Sequence, residues 1–180
     1  MKKVLLTIAL IAAAMSMTAC SSNQSSTVSD GEATVQQQDI NVGTSVFADE
    51  NGVLTYLDTE HSPFDGAGLK ITVDKNAKTV NFVKTDLEGN ETVEYYTFDY
   101  NSNTVEQYYY VSMMGTGFYY TYDLNAGEIT KIEDSDRNDS TQSTKDNGRY
   151  DSANERLKGD VAALESYFTE RYGVTIAEMV

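Results

Sequence analysis

Between residues 53 and 133, large apolar side chains alternate with polar ones in short runs, and each run ends in a cluster of Asp, Asn, Gly or Ser. Leu69, Ile71 and Val73 alternate with Lys70 and Thr72; DKNAK follows, and Val80 and Phe82 resume the alternation. A period of two is that of a strand with one buried face. DLEGNE, YNSNT, MMGTG and LNAGE mark further reversals, each carrying Gly or Asn where positive φ is needed. Strands this closely spaced are antiparallel, because a parallel return takes a dozen or more residues. The pattern predicts an antiparallel meander of about six or seven strands.

Beyond a polar linker, DSDRNDSTQSTKDNGR (134–149), the period changes. Leu157, Val161, Leu164, Phe168 and Tyr172 recur at helical spacing, with Arg156, Lys158, Asp160, Glu165 and Glu170 off that stripe. Ser152 and Glu155 have capping-box spacing, and Gly173 supplies a stop, which predicts one amphipathic helix over 152–172. Its apolar stripe needs a surface to cover. One face of the sheet is the nearest, and a coiled-coil partner is the alternative. The expected fold class is α+β, mainly β, with a single globular domain over 44–180.

Turn geometry then divides the side chains between the two faces. A two-residue turn at Gly115-Thr116 sets Met113 opposite Phe118, Val111 opposite Tyr120 and Tyr109 opposite Tyr122. One at Ser102-Asn103 sets Tyr100 opposite Val105 and Tyr96 opposite Tyr109. A three-residue loop at Glu88-Gly89-Asn90 sets Phe82 beside Tyr96, Val80 beside Phe98, and Lys84 opposite Glu94. The expected core is Leu69, Ile71, Val73, Val80, Phe82, Tyr96, Phe98, Tyr100, Val105, Tyr109, Val111, Phe118, Tyr120 and Tyr122. The other face receives Tyr95, Thr97, Asp99, Glu106, Tyr108, Tyr110, Tyr119, Thr121 and Asp123.

That second face carries the main candidate site. Nine of the 13 tyrosines lie in residues 94–123, in a chain without tryptophan. Core packing accounts for most of them and leaves Tyr95, Tyr108, Tyr110 and Tyr119 among Thr, Asp99, Glu106 and Asp123. Tyrosine offers a rigid apolar ring with a hydroxyl, which suits stacking on sugar rings or gripping a polypeptide. High β propensity alone is the competing explanation. The same carboxylates are the one arrangement that could serve a carboxylate-dependent hydrolase.

Other chemistry is poorly provided for. The single His61, in LDTEHSPFDG, reads as a loop residue, since no G-x-S-x-G elbow accompanies Ser62. One His and one Cys put a zinc site of the usual ligands out of reach. Asp134-Ser135-Asp136-Arg137-Asn138 begins like an EF-hand loop but has Asp139 where Gly is required and Lys145 where Glu is required. No phosphate-cradling Gly-rich loop is present, and no cofactor is expected.

The first twenty residues, MKKVLLTIALIAAAMSMTAC, place Lys2 and Lys3 before an apolar run and small residues before Cys20. This order is that of an export signal, and the run is short for a bilayer crossing. Met17-Thr18-Ala19-Cys20 resembles the lipobox of bacterial lipoproteins. The resemblance covers about the first twenty-two residues and implies cleavage after residue 19 and a diacylglycerol on the Cys20 sulfur. Residues 20–43 then read as a lipidated cysteine and a Ser/Gln-rich tether with a reach on the order of 25 Å. Loss of both lysines takes the formal charge from −15 to −17, which argues against nucleic acid as a partner. The membrane, through the lipid, is the expected attachment. The resemblance implies a location in the cell envelope outside the cytoplasm: the cell surface in a one-membrane bacterium or, with Ser21 after the cysteine, the outer membrane in a two-membrane one. Binding of an envelope glycan or protein is the first functional expectation. Docking of the C-terminal helix on a membrane complex and hydrolysis are the alternatives.

Overall fold

The computed structural model describes residues 41–180. The signal segment 1–19, Cys20 and the tether to residue 40 lie outside the described residues. Eight strands form one antiparallel sheet in which each strand pairs with its neighbour in sequence. They are β1 (Ala48–Glu50), β2 (Val53–Asp58), β3 (Gly68–Asp74), β4 (Thr79–Thr85), β5 (Glu91–Asp99), β6 (Thr104–Val111), β7 (Thr116–Asp123) and β8 (Glu128–Glu133). The expected count of six or seven is therefore low by at least one. The extra strand, β1, has no apolar alternation of its own and is joined to β2 by Asn51-Gly52, both at positive φ.

One register holds as expected: Phe82 faces Tyr96, Val80 faces Phe98, and Lys84 Nζ lies 3.1 Å from Glu94 Oε2. Two differ. Phe98, not Tyr100, faces Val105, and Phe118, not Tyr122, faces Tyr109. Strand pairing closes over longer turns, Tyr100–Asn103 and Ser112–Gly115, in place of two-residue ones. The first slip is two residues and the second four, both even numbers, so no side chain changes face. Of the expected core, Tyr100, Tyr109 and Phe118 are only partly buried, and Val111 is of intermediate exposure near the sheet end.

A repeated turn sets the other end of the meander. Asp74, Asp99 and Asp123 each close a strand, and each accepts the amide of the residue two positions on, Asn76, Asn101 or Asn125 (2.9, 2.8 and 2.7 Å). Five-residue D-x-N-[A/S]-x turns thus serve the β3–β4, β5–β6 and β7–β8 hairpins, ending on Lys78, Asn103 and Gly127 at positive φ. Aspartate does this because its short carboxylate reaches its own backbone two residues on.

The linker expected over 134–149 contains a short helix, α1 (Thr141–Asp146). Helix α2 spans Tyr150–Tyr172, starting two residues before the expected Ser152 cap, and no side chain caps its first turn. Gly173 ends it at positive φ. The stripe Leu157, Val161, Leu164, Phe168 and Tyr172 is buried together with Tyr167 and covers the sheet face formed by Leu69, Ile71, Val80, Phe82, Phe98 and Val105. No coiled-coil partner is needed to bury it. The chain enters beside the end of α2, where Val42 N donates to the Arg171 carbonyl (2.9 Å), so residues 41–43 belong to the domain and not to the tether.

The β8 edge is closed by two side chains and one backbone amide. Ile129 N donates to Asn154 Oδ1 (2.7 Å), Ile132 N to Thr141 Oγ1 (2.8 Å), and Ser140 N to the Ile132 carbonyl (2.8 Å). The opposite edge, β1, is three residues long.

Candidate functional site

The face of the sheet away from α2 carries rows of directly paired residues. Tyr95 on β5, Tyr108 on β6 and Tyr119 on β7 are successive cross-strand partners, and Glu133 on β8 ends the row. The Tyr95 and Tyr108 rings stack at 6.1 Å, and Tyr108 and Tyr119 tilt together at 4.7 Å. Gly117 opposite Tyr110 makes room for this: a Cβ there would overlap the Tyr108 ring, which lies across the glycine. Tyr110 sits beyond the row toward the sheet end and is exposed.

Next to the aromatic row runs a polar one, Asn81, Thr97, Glu106, Thr121 and Lys131, and then Asp99, Thr104 and Asp123. Asn81, Thr97, Asp99, Thr104, Glu106 and Thr121, with Tyr95, line a shallow depression of about 430 Å3. Asn81 Nδ2 donates to Thr97 Oγ1 (2.9 Å) and its Oδ1 has no protein partner.

Arg137 was missed by sequence reading as a site residue. Its guanidinium lies 3.3 Å from the Tyr119 ring centroid and donates to both Glu106 oxygens (2.8 and 3.3 Å). Tyr95 Oη donates to Glu106 Oε1 (2.7 Å). Desolvation would raise the Glu106 carboxyl, but the hydrogen bonds from Arg137 and Tyr95 outweigh it and hold the group below the usual range. Burial and the Glu106 carboxylate push the Tyr95 hydroxyl up.

The loop that delivers Arg137 has a twin. In both Asp86–Asn90 and Asp134–Asn138 the first residue's amide donates to the fifth residue's carbonyl, and the Asp carboxylate takes amides of the third and fifth residues. The fourth position is Gly89 in one and Arg137, at φ 66°, in the other. The candidate EF-hand start is this hydrogen-bonded loop. An L side chain in the left-handed region costs about 1 kcal/mol, so Arg137 occupies a position that glycine would fill with less strain. We expect Arg137→Gly to be more stable than Arg137→Ala by about 1 kcal/mol, read from urea melts, since both lose the Glu106 pair and only one keeps the strain. Equal stabilities would refute it.

The candidate carboxylates are engaged. Besides Glu106, Asp99 accepts from Asn101 N (2.8 Å) and Ser102 Oγ (3.0 Å), and Asp123 from Asn125 N (2.7 Å) and Ala126 N (2.9 Å). Burial works to raise the Asp99 carboxyl, but the hydrogen bonds at its turn prevail and lower it. Neither Glu106 nor Asp99 is raised toward a general acid's range. His61 contacts Asp58, with Nδ1 3.3 Å from Oδ1.

Two polar clusters under α2 were also missed. Gln107 Nε2 and Asp160 Oδ2 both bond the buried Tyr96 hydroxyl (2.9 Å each), and Arg156 Nη1 bonds Gln107 Oε1 (3.0 Å) with its guanidinium over the Tyr109 ring at 4.0 Å. At the other end of the helix, Tyr167 Oη donates to the buried Asp58 Oδ2 (2.9 Å). Both lie beneath the helix, away from the open face. Among the described residues, no group of three His, Cys, Asp or Glu side chains is placed to hold a metal ion, and no helix is long and apolar enough to cross a membrane. Compared with known protein families, curated proteins and solved structures, the chain matches none.

Proposed function

We propose that this chain is a lipid-anchored bacterial envelope lipoprotein, held through a diacylglycerol on Cys20, whose head binds an envelope glycan on the tyrosine face. A partner protein is the alternative occupant of the same face. The observation that carries the binding reading is the unbroken row Tyr95–Tyr108–Tyr119, fixed by Arg137 and flanked by a hydroxyl- and amide-lined depression. Rings held at fixed spacing beside polar side chains offer apolar contact and hydrogen bonding together, which is what a sugar needs, with Tyr95 and Tyr108 carrying the contact because Arg137 covers the Tyr119 face. The lipid anchor rests on the Met17–Cys20 lipobox, and intact mass of the membrane fraction, expected to give a chain beginning at Cys20 with acyl mass, tests it.

Tyr108→Ala with Tyr110→Ala is expected to lower affinity on an envelope-glycan array by more than about tenfold, or 1.4 kcal/mol, with the fold retained by circular dichroism. A folded double variant that binds unchanged rejects the reading. Docking through α2 has less behind it, because the apolar stripe of that helix is already buried on the sheet. For the same reason, deleting residues 150–180 would expose the core and could not test it cleanly. Hydrolysis has least behind it, as the three carboxylates are committed to turns and to Arg137.

A further inference from the structure

The two ends of the meander differ in character. The exposed large hydrophobic side chains of the described residues are Leu57, Leu87, Val93, Tyr110, Met113 and Met114. Strand directions put all six at one end, where β2, β4 and β6 finish and β3, β5 and β7 begin. Met113, at 96% exposure, stands at the tip of the β6–β7 turn, and Leu87 at the tip of the β4–β5 loop. Exposed apolar side chains scattered singly are ordinary, but here all six gather at one end of the sheet.

The charges at the two ends are held differently. At the apolar end Lys70 pairs with Glu91 (2.6 Å), Lys84 with Glu94 (3.1 Å), and Lys131 and Arg137 with Glu133 (2.7 and 3.4 Å). At the far end Asp74, Asp99 and Asp123 are satisfied by turn amides, which leave their negative charge in place, with Lys75 and Lys78 beside the first of them. Asp86 and Glu88 flank Leu87, so the apolar end matches a zwitterionic layer better than an anionic one.

The chain also enters at this end. Val42 bonds the Arg171 carbonyl, and Arg171 Nε lies 3.6 Å from Asp58, the last residue of β2. We propose that this end of the sheet rests on a lipid bilayer, with Leu87, Met113 and Met114 dipping among the headgroups. This rests on the anchor reading: a tether from Cys20 with a reach on the order of 25 Å enters where the apolar tips project. The tips belong to separate hairpins and form no groove for a peptide, whereas a bilayer interface accepts scattered apolar side chains. The tyrosine row then stands at the side of the head and the turns after Asp74, Asp99 and Asp123 point away from the lipid.

The chain has no tryptophan and one cysteine, which makes the test direct. The full chain is coupled through Cys20 to maleimide-bearing phosphatidylcholine vesicles containing acyl-brominated lipid. Met114→Trp and Asn125→Trp chains report the two ends. Quenching is expected to be several-fold stronger for Met114→Trp, and adding Leu87→Asp to that chain is expected to remove the excess. Equal quenching at both positions, or an excess that survives Leu87→Asp, overturns the proposal. Equal quenching with concentration-dependent dimers in sedimentation assigns the end to a second protein copy and overturns it too. Chemical coupling needs no native acylation, so a missing acyl mass on the natural protein is read separately from these outcomes.

Discussion

Phe168→Ala is expected to destabilise the domain by about 3–5 kcal/mol and to lower its melting temperature by roughly 10–20 °C. The side chain is fully buried and its ring meets Phe82 edge-on at 6.0 Å, Tyr172 at 4.8 Å and Phe47 at 6.3 Å. It therefore joins helix, sheet and entry segment at one point, and the surrounding rings are too rigid to collapse into the space left. Small domains hold only about 5–15 kcal/mol in all, so the loss removes a large part of the total. Lys158→Ala, exposed on the same helix, serves as the control and is expected to stay within about 0.5 kcal/mol of wild type. A wild-type melting temperature in Phe168→Ala would mean that α2 is not what covers the sheet.

Asp58→Asn is expected to cost about 2–4 kcal/mol near neutral pH. The carboxylate is buried at the end of β2 and takes hydrogen bonds from Tyr167 Oη (2.9 Å), Glu60 N (3.1 Å) and His61 N (3.0 Å), with Arg171 Nε at 3.6 Å. Desolvation alone would raise this carboxyl; the amides of Glu60 and His61 and the Tyr167 hydroxyl together prevail and lower it from 3.8. A carboxyl lowered on folding adds stability that is complete above its unfolded value and is lost as pH falls toward the folded one. The wild-type advantage over Asp58→Asn is thus expected to be flat from pH 7 to about 5 and to shrink below about 4, measured by urea titration at each pH. An advantage that grows on acidification would contradict it.

Face assignment was the most legible part of the fold, because it depends only on parity. The turns after Asp99 and Val111 hold four residues where two were expected, yet Phe98, Val105, Tyr120 and Tyr122 are buried and Tyr95, Tyr108 and Tyr119 lie on the open side. A slip by an even number of residues changes partners without changing faces. What escaped reading had local signals too weak or partners too distant. Strand β1 is Ala-Asp-Glu, and only the Asn51-Gly52 pair after it hints at a hairpin. The D-x-N turn recurs three times and was readable as a repeat, but its meaning depends on each Asp ending a strand. Asp58 and Tyr167 meet across 109 positions and Tyr96 and Asp160 across 64, so polar residues that look like surface are buried by partners no local window contains. Arg137 was hidden by its backbone: nothing in DSDRN announces a left-handed arginine until the glycine of DLEGN is laid over it.

The way β8 ends the sheet bears on how many copies can share one surface. An open sheet offers free amides and carbonyls at its borders, and crowded neighbours can anneal there strand upon strand into fibres. Here Asn154, Thr141 and Ser140 occupy that border from within, and the opposite one offers a strand of three residues. Neighbouring molecules at high density consequently meet blunt margins that offer little for strand-on-strand annealing.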